Sequence, residues 1–359
     1  MSGALTILVA KGQQDTVLTG NPQISFFRQN YKRHVNFSQA VLSQVIQGNP
    51  KEAAISTVTF DRKGDLLSYV YLTKKNSSGY IQSDFDSDDI EKVELIIGEQ
   101  VIDTLTTKQL SSLTSFSSKY PRSTPADAPT GQDGFKKEYH YPLGFWFCEN
   151  WQSAIPLVAL QYHDVQIRIT WGSDSSDFVF QVWASYIYLD NEERKYITEK
   201  DTSDTLMYQH QSTPASNSLM TQLPFNNPVS FLFSELGYGD IMGVAGPTIG
   251  DQGKINLKIN GVDIVEQKEL YPHYNIIPLA YHTSYGKFDN TTNGWKKTPS
   301  FIYPFALNCS QLQPSGTCNF SRIDSAYLSS TKNVIKPIYA RSYNVLRIQK
   351  GMGGLLFSS

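Results

Sequence analysis

The feature that most constrains this chain is a two-residue hydrophobic period that keeps returning in short runs. Val93, Leu95 and Ile97 fall on one face of one run; Val165, Ile167 and Ile169 do so in another, with Gln166 and Arg168 turned the other way. Phe178, Phe180 and Val182 continue the pattern, as do Ile255, Leu257 and Ile259. A period of two belongs to strands with one buried face, and each run here is about four to eight residues long between turn-forming residues. Asn260-Gly261, between Ile259 and Val262, is the strongest hairpin signal, because a type I′ turn needs positive φ at both central residues. Helical stretches are few, and Thr107–Phe116 and Asp201–Gln211 are the best candidates. Leu5–Ala10 reads as a further strand, since no basic segment or small-residue cleavage site marks it as a signal peptide. No apolar run approaches the ~20 residues of a membrane helix.

Many short strands separated by turns mean sandwiches or barrels. The 359 residues amount to about two domains, and 40% hydrophobic residues supply enough material for two cores. Self-similarity points the same way. Glu94–Gly98 resembles Asn256–Asn260, and Tyr141-Pro142-Leu143 resembles Tyr303-Pro304-Phe305, both at an offset of 162 residues. Ser185-Tyr186-x-x-Leu189 resembles Ser342-Tyr343-x-x-Leu346 at an offset of 157. Three matches in one order, offset by nearly half the chain, suggest a β-domain repeated in tandem. The boundary is expected after Asp190, where the charged run Asn191–Lys195 begins. Sandwiches of this size exceed an immunoglobulin-type domain of ~100 residues and suit eight-stranded jelly rolls. The expected division is an N-terminal arm over 1–22, a first jelly roll over 23–190, a linker with a short helix over 191–214, and a second jelly roll over 215–359.

The chemistry-bearing patterns are weak. Asp84–Asp89 begins like a calcium loop, but Asp89 stands where Gly is needed and Leu95 where a bidentate Glu belongs. His163-Asp164 lacks metal-ligand spacing and reads as a packing or hydrogen-bonding pair at a strand start. There is no G-x-S-x-G elbow, and Gly351-Met352-Gly353-Gly354 lacks the Lys-Ser/Thr of a phosphate loop. Glu138, Glu149 and Asp164 are the carboxylates a glycosidase reading would have to use. Three cysteines, at 148, 309 and 318, contain no C-x-x-C pair and read as small buried hydrophobes. Tyr31-Lys32-Arg33-His34 is the densest basic-aromatic cluster, yet 31 basic against 33 acidic residues leave a net charge of −2. A protein that coats a genome carries a basic excess, so direct nucleic-acid binding is not expected. Sequons at Asn36, Asn76, Asn290, Asn308 and Asn319 matter only in the secretory pathway.

Longer segments resemble one family. Gly12–Asp15, Thr19–Pro22 and the stretch holding Phe26, Phe27, Arg28, Tyr31, Lys32, Arg33, His34, Asn36 and Phe37 are similar to the N-terminus of the major capsid proteins of nucleocytoplasmic large DNA viruses. That group includes iridoviruses, phycodnaviruses and mimivirus relatives. Tyr188-Leu189-Asp190-x-x-Glu193-Arg194 resembles the family's segment between domains. Gln313–Asp324, with Asn319, Phe320, Ser321, Arg322 and Asp324, resembles a family hallmark, as does Tyr343–Leu355 with Tyr343, Asn344 and Arg347. The departures are a chain shorter than many members and Asn260-Gly261-Val262-Asp263 where Asn-Gly-His-Asp is common.

The resemblance implies an all-β double jelly roll, two tandem eight-stranded sandwiches with a few short helices. It implies homotrimers forming pseudo-hexagonal capsomers that tile an icosahedral shell over an internal membrane. The partners would be neighbouring capsomers, minor capsid and penton proteins and the side of the internal membrane. The place would be the virion, and the host cytoplasm during assembly. No catalysis, cofactor or metal is expected. Met1–Pro22 would lie beneath the capsomer, and Phe26, Phe27, Tyr31 and Phe37 would anchor the first strands in core or interface. The alternatives are a carbohydrate-binding β-sandwich on a virion surface, stacking sugars on Trp146 and Trp151, and a viral membrane scaffold.

Overall fold

The computed structural model describes residues 3–75, 89–114, 141–216, 218–234, 254–283, 301–334 and 336–357. It comprises two compact units, residues 1–36 and 37–359. In the smaller unit a helix spans Gly3–Val9, where the sequence reading expects a strand. A strand needs a hydrogen-bonded neighbour, whereas a helix satisfies most of its own backbone, and no strand is assigned in this unit among the described residues. A 3₁₀ turn over Gln13–Asp15 and a helical turn over Thr16–Thr19 follow. The Asp15 carboxylate accepts the Gly12 N–H at 2.8 Å, which fixes the bend between them.

The larger unit carries two successive sandwiches. The first uses β1 (Phe37–Gln44), β2 (Ile55–Phe60), β3 (Leu66–Lys75), β4 (Ile90–Ile97), β5 (Gln100–Thr106), β6 (Tyr141–Pro142), β7 (Ile155–Pro156), β8 (Val165–Trp171) and β9 (Val179–Leu189). One sheet runs β1-β9-β3-β6, with β7 also on β3, and the other runs β2-β8-β4-β5. The second sandwich uses β10 (Thr202–Ser212), β11 (Ser218–Gln222), β12 (Pro228–Ser234), β13 (Lys254–Ile259), β14 (Val262–Asp263) and β15 (Lys268–Glu269). It continues with β16 (Phe301–Pro304), β17 (Cys318–Asn319), β18 (Ala326–Val334), β19 (Tyr339–Gln349) and β20 (Met352–Leu355). Its sheets run β10-β19-β12-β16 and β11-β18-β13-β14, with β15 also on β13. Position for position this is the order of the first sandwich, and it is the eight-position jelly-roll order.

The duplication extends to register. Leu72 pairs with Tyr141 and Val182, as Leu232 pairs with Tyr303 and Ala340. The β4–β5 turn has positive φ at Gly98 (55°) and Glu99 (70°), and the β13–β14 turn has it at Asn260 (51°) and Gly261 (80°). Both are therefore type I′ hairpins, and the one at Asn260-Gly261 was legible in the sequence. The third sequence match is off by one residue. Through the shared register Val182 corresponds to Ala340, so Tyr186 is the counterpart of Asn344, not of Tyr343. A slip of one flips the face: Tyr186 lies in the first sandwich's core, whereas Tyr343 lies on the opposite face of its sheet.

Two expected boundaries change. Residues 23–36 cluster with the N-terminal unit, and the first strand begins only at Phe37. The expected helix over Asp201–Gln211, inside the expected linker, is instead β10, paired with β19 over all eleven residues. Tertiary pairing overrides the weak local propensity there. The linker's helix spans Asn191–Thr198, and the Asp190 carboxylate caps it by accepting the Asn191 N–H at 2.6 Å. The other expected helix is present over Thr107–Thr114. No helix among the described residues is long and apolar enough to cross a membrane.

A buried joint and the candidate assembly surfaces

The alternation that builds each sheet also decides what meets what. On the second sandwich, Leu232, Phe301 and Ala340 face its own core. The opposite face of the same sheet, with Phe231, Phe233, Tyr339 and Tyr343, joins the hydrophobic cluster of the first sandwich. The two sandwiches thus share one continuous apolar joint, which holds them as one body.

Polar groups are set into that joint. Arg341 is wholly buried, its guanidinium lies 3.3 Å from the Tyr208 ring centroid, and its Nη2 donates to Glu149 Oε2 at 2.8 Å. Burial works against its charge, but Glu149 and Tyr208 outweigh that and hold its pKa above the ordinary value. Burial pushes the Tyr208 phenol upward as well, so Tyr208 stays neutral beneath the cation. Nearby, the Asp103 carboxylate on β5 accepts the His210 N–H at 2.8 Å and meets His210 Nδ1 at 2.8 Å, both side chains being buried. Gln209 Nε2 donates to Ile102 O at 2.9 Å. His163 Nδ1 lies 2.9 Å from Gly353 O and packs over Gly98, where a Cβ would fall 2.2 Å from its ring. That close approach is one reason Gly98 suits this turn.

The family-like residues take different roles. Asn319 caps the 3₁₀ turn over Phe320–Arg322, its Oδ1 accepting the Ser321 N–H at 3.1 Å. Phe320 is 3% exposed and meets Phe225 and Phe305 edge-on, both at 5.9 Å. Ser321 Oγ accepts the Asn227 N–H at 2.8 Å, while Arg322 and Asp324 are exposed. Asn344 Nδ2 donates to Gln209 Oε1 at 2.7 Å and to Phe357 O at 2.8 Å. Tyr343 sits 5.5 Å from Tyr208. Arg347 forms a two-pronged pair with Asp204 at 2.7 and 2.6 Å, which holds the Asp204 carboxyl below its usual range. In the segment between the sandwiches, Arg194 makes a similar pair with Asp65 at 2.9 and 3.0 Å.

The N-terminal residues do not anchor a core. Phe26, Phe27 and Tyr31 are 88%, 99% and 77% exposed, Arg33, His34 and Asn36 are exposed beside them, and Phe37 is half-exposed at the start of β1. Phe26, Phe27 and Tyr31 precede the first strand, and none of them packs into its core. Leu5, Ile7, Leu8 and Val9 are exposed too. Of the carboxylates singled out, Glu149 is tied to Arg341 and Asp164 faces Arg62 at 3.4 Å, while Glu138 lies outside the described residues. So do Asp84–Asp88 of the calcium-like loop. Trp151 is exposed, but Trp146 is fully buried and offers no platform for a sugar.

Sequence reasoning missed Arg341 and the Asp103–His210 pair. Arg341 as the one charge between Pro337 and Leu346, directly after Ile338-Tyr339-Ala340, was the available signal for the first.

Burial raises all three thiol pKa values: Cys309 is pushed up to about 12, Cys148 further still, and Cys318 less. The thiolate is the reactive form. At pH 8 a maleimide should therefore add at most once to the native chain, at half-buried Cys318, and three times after denaturation. Intact-mass measurement before and after unfolding reads this, and two adducts on the native chain would contradict it.

Comparison with known proteins follows the same division. The family described as major capsid protein N-terminus matches residues 25–190, and the large eukaryotic DNA virus major capsid protein family matches residues 188–354. The chain is 35% identical to the major capsid protein of Pyramimonas orientalis virus and 29% identical to that of Paramecium bursaria Chlorella virus 1, each alignment covering all of both chains. PBCV-1 VP54 superposes with a TM-score of 0.76 at 24% identity, over 93% of this chain and 100% of that one. The Faustovirus major capsid protein superposes with a TM-score of 0.63 at 12% identity, over 94% of each chain, so these solved structures share the fold.

Proposed function

Because the chain belongs to the large eukaryotic DNA virus major capsid protein family, we propose that it acts as a homotrimer, a pseudo-hexagonal capsomer of six jelly rolls. A structural role in the viral capsid comes with the family. The trimer is our reading, and the buried joint is the observation that supports it most. Two like sandwiches fixed in one orientation make each chain a rigid third of such a ring, and Arg341 with Glu149 and Asp103 with His210 resist sliding. Capsomers then pack against neighbouring capsomers, minor capsid and penton proteins, with the internal membrane on the inner side and no direct contact to nucleic acid. Assembly takes place in the host cytoplasm. A net charge of −2 on 359 residues leaves little long-range repulsion between copies. Static light scattering after size exclusion tests the trimer. The expected mass is about 121 kDa, three times 40.4 kDa. A monodisperse 40 kDa species would overturn it.

The N-terminal unit is assigned to contacts beneath the capsomer. Its apolar side chains are exposed, and residues 1–36 form a unit separate from the sandwiches. Deleting residues 1–22 should remove only the weak helical signal of that segment from the far-UV spectrum, leave the melting temperature unchanged and reduce the yield of assembled shells several-fold. Electron microscopy of assembly reactions reads the second quantity, and a wild-type yield would refute the assignment.

A further inference from the structure

Gly351-Met352-Gly353-Gly354 is no phosphate loop, and the fold gives its glycines another task. Lys350 and Gly351 have positive φ (50° and 81°), the type I′ geometry that turns β19 back into β20. β20 then lies along β19, with Ile348 opposite Gly353 and Leu346 opposite Leu355, so it belongs to the second sandwich. The same segment also binds the first sandwich. Gly351 O accepts the Tyr162 N–H at 3.0 Å, and the Leu355 N–H donates to Gln100 Oε1 at 3.2 Å. The His163 ring stands between two glycines: its Nδ1 lies 2.9 Å from Gly353 O and 3.2 Å from Gly353 N, and the ring packs over Gly98. A Cβ at Gly353 would fall 2.7 Å from Leu160 and 3.3 Å from Ile97, both wholly buried. The backbone therefore approaches the first sandwich more closely than a side chain there would permit.

Beyond β20 the chain returns to the second sandwich. The Leu356 N–H donates to Val345 O at 2.9 Å, and Phe357 O accepts from Asn344 Nδ2 at 2.8 Å. Ile97, Leu160, Leu346 and Ile348 lie in one apolar cluster, with Leu355 packed against it. The surface that receives residues 351–357 is thus composite. Ile97, Gly98, Gln100 and residues 160–163 supply one part and β19 supplies the other, so neither sandwich alone presents it.

We propose that residues 351–357 form a strap that closes only once the two sandwiches have met, and then locks them in place. Closing the strap and docking the sandwiches are one cooperative event: the strap cannot open without loosening the joint, and the joint cannot part without releasing the strap. The Arg341–Glu149 and Asp103–His210 pairs act on side chains buried in the joint, whereas the strap ties the two sandwiches through backbone groups. It does not depend on the trimer, since every contact it uses lies within one chain.

Hydrogen exchange of the native chain, read by mass spectrometry, tests this with Gly353→Val, which inserts a branched side chain against Leu160. Amides in residues 351–357 should exchange at least about tenfold faster, and those of β5 and β10, on the two sides of the joint, should speed up with them. β8 and β18, each paired on both sides within its own sandwich, should keep the wild-type rate. Met352→Ala, on the same strand at an exposed position, should change nothing. Faster exchange confined to residues 351–357 would reduce the strap to a passive tail and overturn it, and so would wild-type rates throughout. Should Gly353→Val speed exchange everywhere, His163→Ala, which inserts no atom, decides: acceleration at the strap and the joint together sustains the strap, and any other pattern overturns it. The readout is the same for one chain or three, so a failed strap leaves the scattering result and the trimer untouched.

Discussion

Glu149→Gln is expected to destabilise the protein by about 3–5 kcal/mol, although it removes only one charge and keeps the side chain's shape. The Arg341 side chain is wholly shielded from water, and its ion-pair partner is Glu149 at 2.8 Å, itself only 27% exposed. Neutralising that partner leaves a guanidinium in a low-dielectric joint with the Tyr208 ring face as partial compensation. The double substitution Glu149→Leu with Arg341→Met removes both charges, and should cost clearly less than Glu149→Gln alone, because a buried ion pair exchanged for apolar groups is often close to neutral. Scanning calorimetry of the three proteins reads the difference. The joint links two sandwiches, so Glu149→Gln should also split a single transition into two as they uncouple. Equal melting temperatures for wild type and Glu149→Gln would mean that Arg341 is solvated and that the joint rests on packing alone.

What could be read beforehand was whatever the chain encodes locally. The strand period along Val165–Ile169 and the turn at Asn260-Gly261 are determined by residues next to one another, and both are where the sequence placed them. The duplication was legible because a repeat leaves two copies of one local pattern. Its register was not, since Ser185-Tyr186 and Ser342-Tyr343 match as letters while the ladders, which set Val182 opposite Leu72 and Ala340 opposite Leu232, make Asn344 the counterpart of Tyr186. Residues 201–211 read as a helix because their partner strand lies more than a hundred residues away. The joint was invisible for the same reason. Asp103 and His210 are 107 residues apart, Glu149 and Arg341 192 apart, and no spacing rule connects them. The family-like segments were legible as a likeness, but their roles were not: Phe320 packs a core, Asn344 organises the amide network around Gln209, and Phe26 and Phe27 face solvent.

Phe320→Ala should cost about 3–5 kcal/mol, as much as the loss of the buried charge partner, and for the opposite reason: it leaves a cavity. The ring is 3% exposed in the second sandwich's core and is held from two sides, by Phe225 and Phe305. Its position is fixed by the backbone on both flanks. Asn319 caps the turn that presents it, and Ser321 Oγ binds the N–H of Asn227, just ahead of β12. The surroundings can collapse only partly, because the turn is tied to β12 through the Asn319–Pro228 and Cys318–Val229 pairs. Phe320→Leu should recover more than half of the loss, and Arg322→Ala, two residues on at an exposed position, should stay within about 0.5 kcal/mol of wild type. Urea unfolding of the three variants measures this. Should Phe320→Ala unfold at the wild-type urea concentration while Arg322→Ala does not, the hallmark segment would serve a surface contact between capsomers rather than the closure of this core.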